Sequence, residues 1–137
     1  MPNITHVLET SLYAEDLAVT SRFYAQVLGL KPMLETPRLA AFDAGNRSVL
    51  LVFQAGSTAE DVATEEGLIP GHDGEGRLHL ALGIPSESLS EWRERLKERG
   101  VTIIGETHWR RGGTSLYFHD PDAHVVELAT PGLWANY

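Results

Sequence analysis

The chain has no cysteine, which excludes a disulfide framework and any thiolate-ligated metal site. Long apolar runs are also missing. Nothing in the sequence approaches the ~18 consecutive apolar residues of a membrane-spanning helix, so no membrane partner is expected. Positive charge is scarce: 11 Lys and Arg stand against 19 Asp and Glu, a net charge of −8 with His neutral. Such a surface repels phosphates, which argues against nucleic acid as a partner. No charged-then-apolar leader opens the sequence, and the cytoplasm is the expected location. What is present, 42% hydrophobic and 22% charged residues in a chain of 137, suits one ordinary globular domain with a small molecule as partner.

The stretch at residues 114–132, TSLYFHDPDAHVVELATPG, anchors the rest of the reading. Leu116, Tyr117 and Phe118 are bulky and favour a strand. Asp120-Pro121-Asp122 then makes a turn, because Pro presets φ and the Asp side chains bond their own backbone. A second strand follows at 124–129 and carries one acid, Glu127, among Val125, Val126 and Leu128. Side chains alternate along a strand, so Glu127 shares a face with Val125 and Ala129. An acid in an apolar strand is costly unless exposed, paired or bound to a metal.

From the N-terminus, residues 4–13 alternate as a strand, with Leu8 and Leu12 on one face and Val7, Glu9 and Ser11 on the other. Asp16 is placed to cap a helix whose Leu17, Thr20, Tyr24, Val27 and Leu28 share one side, and Gly29 to end it. Residues 38–53 read as a hairpin turning at Gly45-Asn46. Residues 54–76 break every periodicity and read as a long connection with one helical turn at 59–65. The pattern then recurs. Leu78, Leu80, Leu82 and Ile84 alternate with His79, Ala81 and Gly83. A second helix is expected with a Ser88–Glu91 capping box, a Leu89, Trp92, Leu96 stripe and Gly100 at its end. Further strands complete the second set. Strand, helix and three strands occur twice, which suggests two similar sheets, each with its helix on the outer face.

If each leucine row covers its helix, the opposite rows face a concave side. Glu9, His79 and Glu127 all lie on those opposite rows, and all are metal-ligand residue types. His6 lies with Leu8 and Leu12. The run His108-Trp109-Arg110-Arg111-Gly112-Gly113 and the side chains of Ser115 and Tyr117 are further candidates to line the cup. An Arg there suits a substrate carboxylate or phosphate.

The segments HVLETSLYAEDLAVTSRFYAQVLGL, RLHLALGIP and SLYFHDPDAHVVELATPG together resemble the vicinal oxygen chelate superfamily. This is the glyoxalase, bleomycin-resistance and extradiol-dioxygenase group, and the resemblance spans residues 5–131. It implies an α+β fold in which paired βαβββ modules form a curved mixed sheet around a concave metal and ligand cup. The expected layout is a single domain over 1–137, with modules at about 5–53 and 78–130 joined by a linker at 54–77. It implies a divalent ion (Mn, Fe, Zn, Ni or Mg) held by Glu9, His79 and Glu127. Catalytic parts fall to Glu127 and Tyr117, and substrate contacts to Leu51, Phe53, Trp109 and Arg111. Leu51 stands where a four-ligand isomerase such as glyoxalase I carries a ligand, a departure from that enzyme. The function implied is a metal-dependent enzyme, a lyase, isomerase or dioxygenase, that chelates vicinal oxygens of a small substrate. The alternative within the group is a metal-free protein that sequesters a drug or aromatic ligand. A homodimer is expected, since each small module leaves a sheet edge to cover.

Overall fold

The computed structural model describes all 137 residues, Met1–Tyr137. They form two compact units, Met1–Glu75 and Gly76–Tyr137. The first contains β1 (Glu9–Ala14), α1 (Leu17–Gln26), β2 (Lys31–Glu35), β3 (Leu39–Asp43) and β4 (Val49–Gln54), then a short hairpin of β5 (Val62–Thr64) and β6 (Gly67–Ile69). The second contains β7 (His79–Gly83), α2 (Leu89–Glu98), β8 (Gly105–His108), β9 (Thr114–His119) and β10 (Val125–Ala129). The main sheets have matching orders, β1-β4-β3-β2 and β7-β10-β9-β8. In each, the first strand runs parallel to the last and the other pairings are antiparallel. The α+β class and the doubled βαβββ pattern are therefore as the sequence implies, with one four-stranded mixed sheet in each unit.

The first helix follows its sequence signals. Asp16 has an extended backbone, φ −125°, and its carboxylate accepts the N–H of Val19 at 3.3 Å. Leu17, Thr20, Ser21 and Tyr24 are buried, and Gly29 takes φ 72° just past the end. The Tyr24 ring lies 6.2 Å from that of Phe42, so α1 covers the face holding Leu12, Ala40, Phe42, Leu50 and Val52. Glu9, Ser11 and Tyr13 lie on the opposite row of β1, and the register carries that row across to Val49, Leu51 and Phe53 of β4.

The second helix starts differently from expectation. Ser88 already has helical angles, φ −90° and ψ −2°, and its hydroxyl donates to the Pro85 carbonyl at 2.8 Å. A helical Ncap cannot aim its oxygen at the free N–H groups ahead of it, so the Ser88–Glu91 box does not form. A single 3₁₀ turn, Ser86–Ser88, takes its place. Of Leu89, Trp92 and Leu96, only Leu96 is fully buried; the other two are half-buried. The helix does cover the leucine face. Arg93 of α2 pairs with Glu106 of β8, and Glu106 stands opposite Leu116 in the β8–β9 ladder.

The structure departs from the sequence expectation at three further places. The β3–β4 turn sits one residue later than Gly45-Asn46. Asn46 (φ 49°) and Arg47 (φ 61°) are left-handed, and Ser48 N–H donates to the Gly45 carbonyl at 2.9 Å, which is the mirror-image turn that matches strand twist. Residues 59–65 hold no helical turn. β-Branched Val62 and Thr64 enter the β5–β6 hairpin, and the Thr64 hydroxyl donates to the Gly67 carbonyl at 2.8 Å. The first strand begins at Glu9 rather than residue 4, and Ile4, Val7 and Leu8 are exposed.

The connection after β4 is itself folded. Thr58 is fully buried; its carbonyl accepts the His72 N–H at 2.8 Å and its hydroxyl donates to the His72 carbonyl at 2.6 Å. Within the first unit this places the His72 ring 4.9 Å from Phe53 and 6.0 Å from Tyr13.

Candidate functional site

The second unit gathers its polar chemistry on the face away from α2. Glu127 stands opposite Tyr117 on β9 and opposite Ala81 on β7, and His79 pairs with Val125. Cross-strand partners share a face, so His79, Ala81, Ser115, Tyr117 and Glu127 form one patch. Trp109, from the β8–β9 turn, and Leu133 and Trp134, from the C-terminal segment, rise around it. With His79, Ala81, Tyr117 and Glu127 they enclose a cleft of about 420 Å³. That volume is within the range of small-molecule sites, ~300–1,000 Å³.

Glu127 is the unusual member. It is only 5% exposed, in a strand whose neighbours Val126 and Leu128 are buried apolar residues. A carboxylate in that setting is stable only with partners. One oxygen accepts the Ser115 hydroxyl at 2.5 Å, and Ser115 Oγ in turn accepts Trp109 Nε1–H at 2.8 Å. This chain of donors holds the carboxyl group in one orientation and leaves its other oxygen, Oε1, facing His79.

The imidazole of His79 is oriented from behind. Its Nδ1 lies 2.9 Å from the Val125 carbonyl oxygen, an acceptor, so Nδ1 carries the proton. In the neutral ring Nε2 is then a bare lone pair, and it lies 3.2 Å from Glu127 Oε1. Two acceptors at that distance repel unless a proton or a cation sits between them. A backbone carbonyl behind one nitrogen, with the other nitrogen presented beside a carboxylate, is the arrangement that orients a metal-ligating histidine. These two side chains therefore fit a divalent ion, with Nε2 and Oε1 as its donors.

The remaining expected site residues distribute as follows. Tyr117 lines the cleft, half-buried, its ring 6.4 Å from that of His79. Trp109 lines it too, while Arg111 is exposed on the turn before β9 and is not part of the lining. His108 lies on the other side of the sheet, its Nε2 3.4 Å from Glu106. In the first unit Glu9 is exposed at the start of β1. Leu51 is half-buried on β4, and Phe53 is buried against Tyr13 and His72. The Tyr13 hydroxyl shares a 2.7 Å hydrogen bond with His72 Nδ1; burial, and secondarily the charge of Asp73, push its pKa up. His6 is exposed and bonded to the neighbouring Thr5 hydroxyl at 2.9 Å.

A second group of ligand types lies in the β9–β10 turn. Asp120, Asp122 and His124 bring one potential ligand atom each within 4.8 Å of one another, a candidate cation group. Much of its donor capacity is committed to the turn. Asp120 Oδ1 accepts the N–H groups of Asp122 and His124 at 2.9 and 3.0 Å, and His124 Nδ1 accepts the Leu78 N–H at 2.9 Å. Ala123, left-handed at φ 62°, makes the bend that permits this. These bonds tie the start of β7 to the end of β9.

Leu133 and Trp134 were not foreseeable as lining residues. Their place depends on a return of the C-terminal segment across the sheet, which no local pattern encodes. Ser115 was visible as a candidate by strand parity, though its bond to Glu127 was not.

The profile of the Glyoxalase/Bleomycin resistance protein/Dioxygenase superfamily matches residues 3–128. The chain belongs to that superfamily. It is 30% identical over 128 residues to the metallothiol transferase FosB of Bacillus licheniformis, covering 93% of this chain and 74% of that one. It is 27% identical over 125 residues to the catechol-2,3-dioxygenase of Bacillus subtilis, covering 90% of this chain and 41% of that one. Among superfamily structures, the lactoylglutathione lyase of Agrobacterium tumefaciens superposes with a TM-score of 0.88 at 29% identity, covering 98% of this chain and 99% of that one. No helix of this superfamily member is long and apolar enough to cross a membrane.

Proposed function

We propose that the protein is a metal-dependent enzyme acting on a small molecule, with a divalent ion held by His79 and Glu127. The observation that carries this reading is the pair of facing acceptors, His79 Nε2 and Glu127 Oε1, at the floor of a cleft. When bound, such an ion supplies a Lewis acid for adjacent oxygen atoms of a substrate.

The chain's own residues do the rest. Ser115, held by Trp109, fixes the Glu127 carboxylate by donating to it. Val125 holds the His79 tautomer. Tyr117 places a phenol on the cleft wall as a hydrogen-bond donor to bound substrate, beside the apolar side chains of Trp109, Leu133 and Trp134. The relatives carry three different reaction names, a thiol transferase, a dioxygenase and a lyase. The proposal therefore stops at oxygen-chelating chemistry.

The test is elemental analysis of protein incubated separately with excess Mn²⁺, Fe²⁺, Zn²⁺, Ni²⁺ or Mg²⁺ and then desalted. One ion per chain is expected, lost on substituting His79→Ala and kept with His6→Ala. Protein that retains no ion at neutral pH would replace this reading with the second one, a metal-free ligand-binding protein. The apolar lining of the cleft favours that reading next. We further propose a homodimer. Sedimentation at micromolar concentration showing only a 15.1 kDa species would remove it.

A further inference from the structure

The oxygen-chelating chemistry needs nothing from the C-terminal segment, yet that segment builds a wall of the cleft. The Tyr137 backbone oxygen accepts the N–H groups of Gly132, Leu133 and Trp134 at 2.8, 3.1 and 3.3 Å, and Tyr137 N–H donates to the Trp134 carbonyl at 3.1 Å. The Tyr137 hydroxyl donates to the Ala129 carbonyl of β10 at 2.7 Å. Its ring lies over Gly83 of β7, where a Cβ would stand 2.6 Å from the hydroxyl oxygen. The segment is thus a small loop pinned at its far end to two strands of the sheet. Between pin and sheet it delivers Leu133 and Trp134 to the cleft.

The side chains it delivers are apolar and wet. Trp134 is 71% exposed, and Trp109, in the same cleft lining, is 38% exposed. The Trp109 N–H is already used on Ser115, so what it offers a ligand is its ring. The lining contains no Lys or Arg, and its polar groups are His79, Glu127 and the Tyr117 hydroxyl. Open indole surface gains most from a flat, apolar partner, and a multiply charged anion finds no cation here.

We propose that Trp134 and Trp109 form an aromatic slot that selects ligands carrying a flat apolar group beside the atoms that reach Glu127, and that Tyr137 over Gly83 is the pin holding the slot in place. This rests on the reading of the cleft as the ligand site. It is independent of which ion the site holds.

Naphthohydroxamate and acetohydroxamate share one pair of adjacent oxygens and differ in the flat apolar group; naphthamide and acetamide repeat that difference without the chelating pair. Their affinities are measured by calorimetry and Trp fluorescence, on Mn²⁺-loaded and on chelator-stripped protein. Each naphthyl compound should bind about tenfold or more tightly than its methyl counterpart in both forms. Trp134→Ala should bring that preference to within about threefold and leave acetohydroxamate unchanged, because the lost area is apolar. Trp134 is mostly exposed, so its replacement leaves the core intact. Gly83→Ala should do the same from a distance, by displacing the Tyr137 ring. Equal affinities within each pair in the wild type, or a Trp134→Ala variant that keeps the preference, would overturn the slot. A Gly83→Ala variant that keeps it would overturn the pin. If the ion reading alone is wrong, hydroxamates will bind no tighter than amides in Mn²⁺ while the naphthyl preference and its dependence on Trp134 persist.

Discussion

Glu127→Gln is expected to abolish stabilisation by divalent ions and to leave the ion-free protein at least as stable as the wild type. The second half of that expectation is the unusual one, since a buried hydrogen-bonded acid is normally costly to replace. Here the acid faces an acceptor: Oε1 lies 3.2 Å from His79 Nε2, whose ring is held with its proton on the other nitrogen by the Val125 carbonyl. A Gln amide donates to Nε2, removes the buried charge and still accepts from Ser115 through its carbonyl. An ion that binds only the native state stabilises by about 2.7 kcal/mol at a hundredfold excess over its Kd. Thermal unfolding across a titration of Mn²⁺, Fe²⁺, Zn²⁺ or Ni²⁺ should show that rise for the wild type and none for the variant. A variant that keeps the rise, or one markedly less stable than wild type in chelator, would show that Glu127 is a structural acid.

Phe118→Ala should cost about 3–5 kcal/mol, the range for emptying a large aromatic from a packed core. Phe118 is 0% exposed, on the row with Leu116 that faces α2. Against a typical domain stability of ~5–15 kcal/mol, that is enough to unfold a marginal protein. The neighbouring Tyr117→Ala should cost only about 1 kcal/mol, because that side chain points to the cleft and is half-buried. Urea unfolding of the two variants measures the difference. Comparable losses would mean that the two rows of β9 are not divided between core and cleft as described.

Much of this division was legible in the chain because strand parity is a local property. A strand alternates whatever it packs against, so the placement of Glu9, His79 and Glu127 on non-helical rows follows from counting by twos from the leucines. The α1 signals, Asp16 before and Gly29 after, are equally local and held. Where local signals competed, the reading failed. Ser88 and Glu91 have capping-box spacing, but Pro85 fixes a 3₁₀ entry that puts Ser88 inside the helical region. Residues 59–65 read as one helical turn in a long connection, while the β-branched Val62 and Thr64 and the left-handed Gly67 close a hairpin instead.

By itself the sequence determined the doubled βαβββ order, the superfamily, and which residue types stand on which side of each strand. It did so because hydrophobic period, caps and turn residues act over a few positions. The tertiary structure decided what those side chains meet. The Val125 carbonyl behind His79, the Trp109–Ser115–Glu127 chain and the tail pinned over Gly83 each join residues between 12 and 54 positions apart along their longest link. Such contacts depend on register between strands and on the return of a segment across a sheet. Packing of the whole unit selects them, and no short stretch of the chain encodes them.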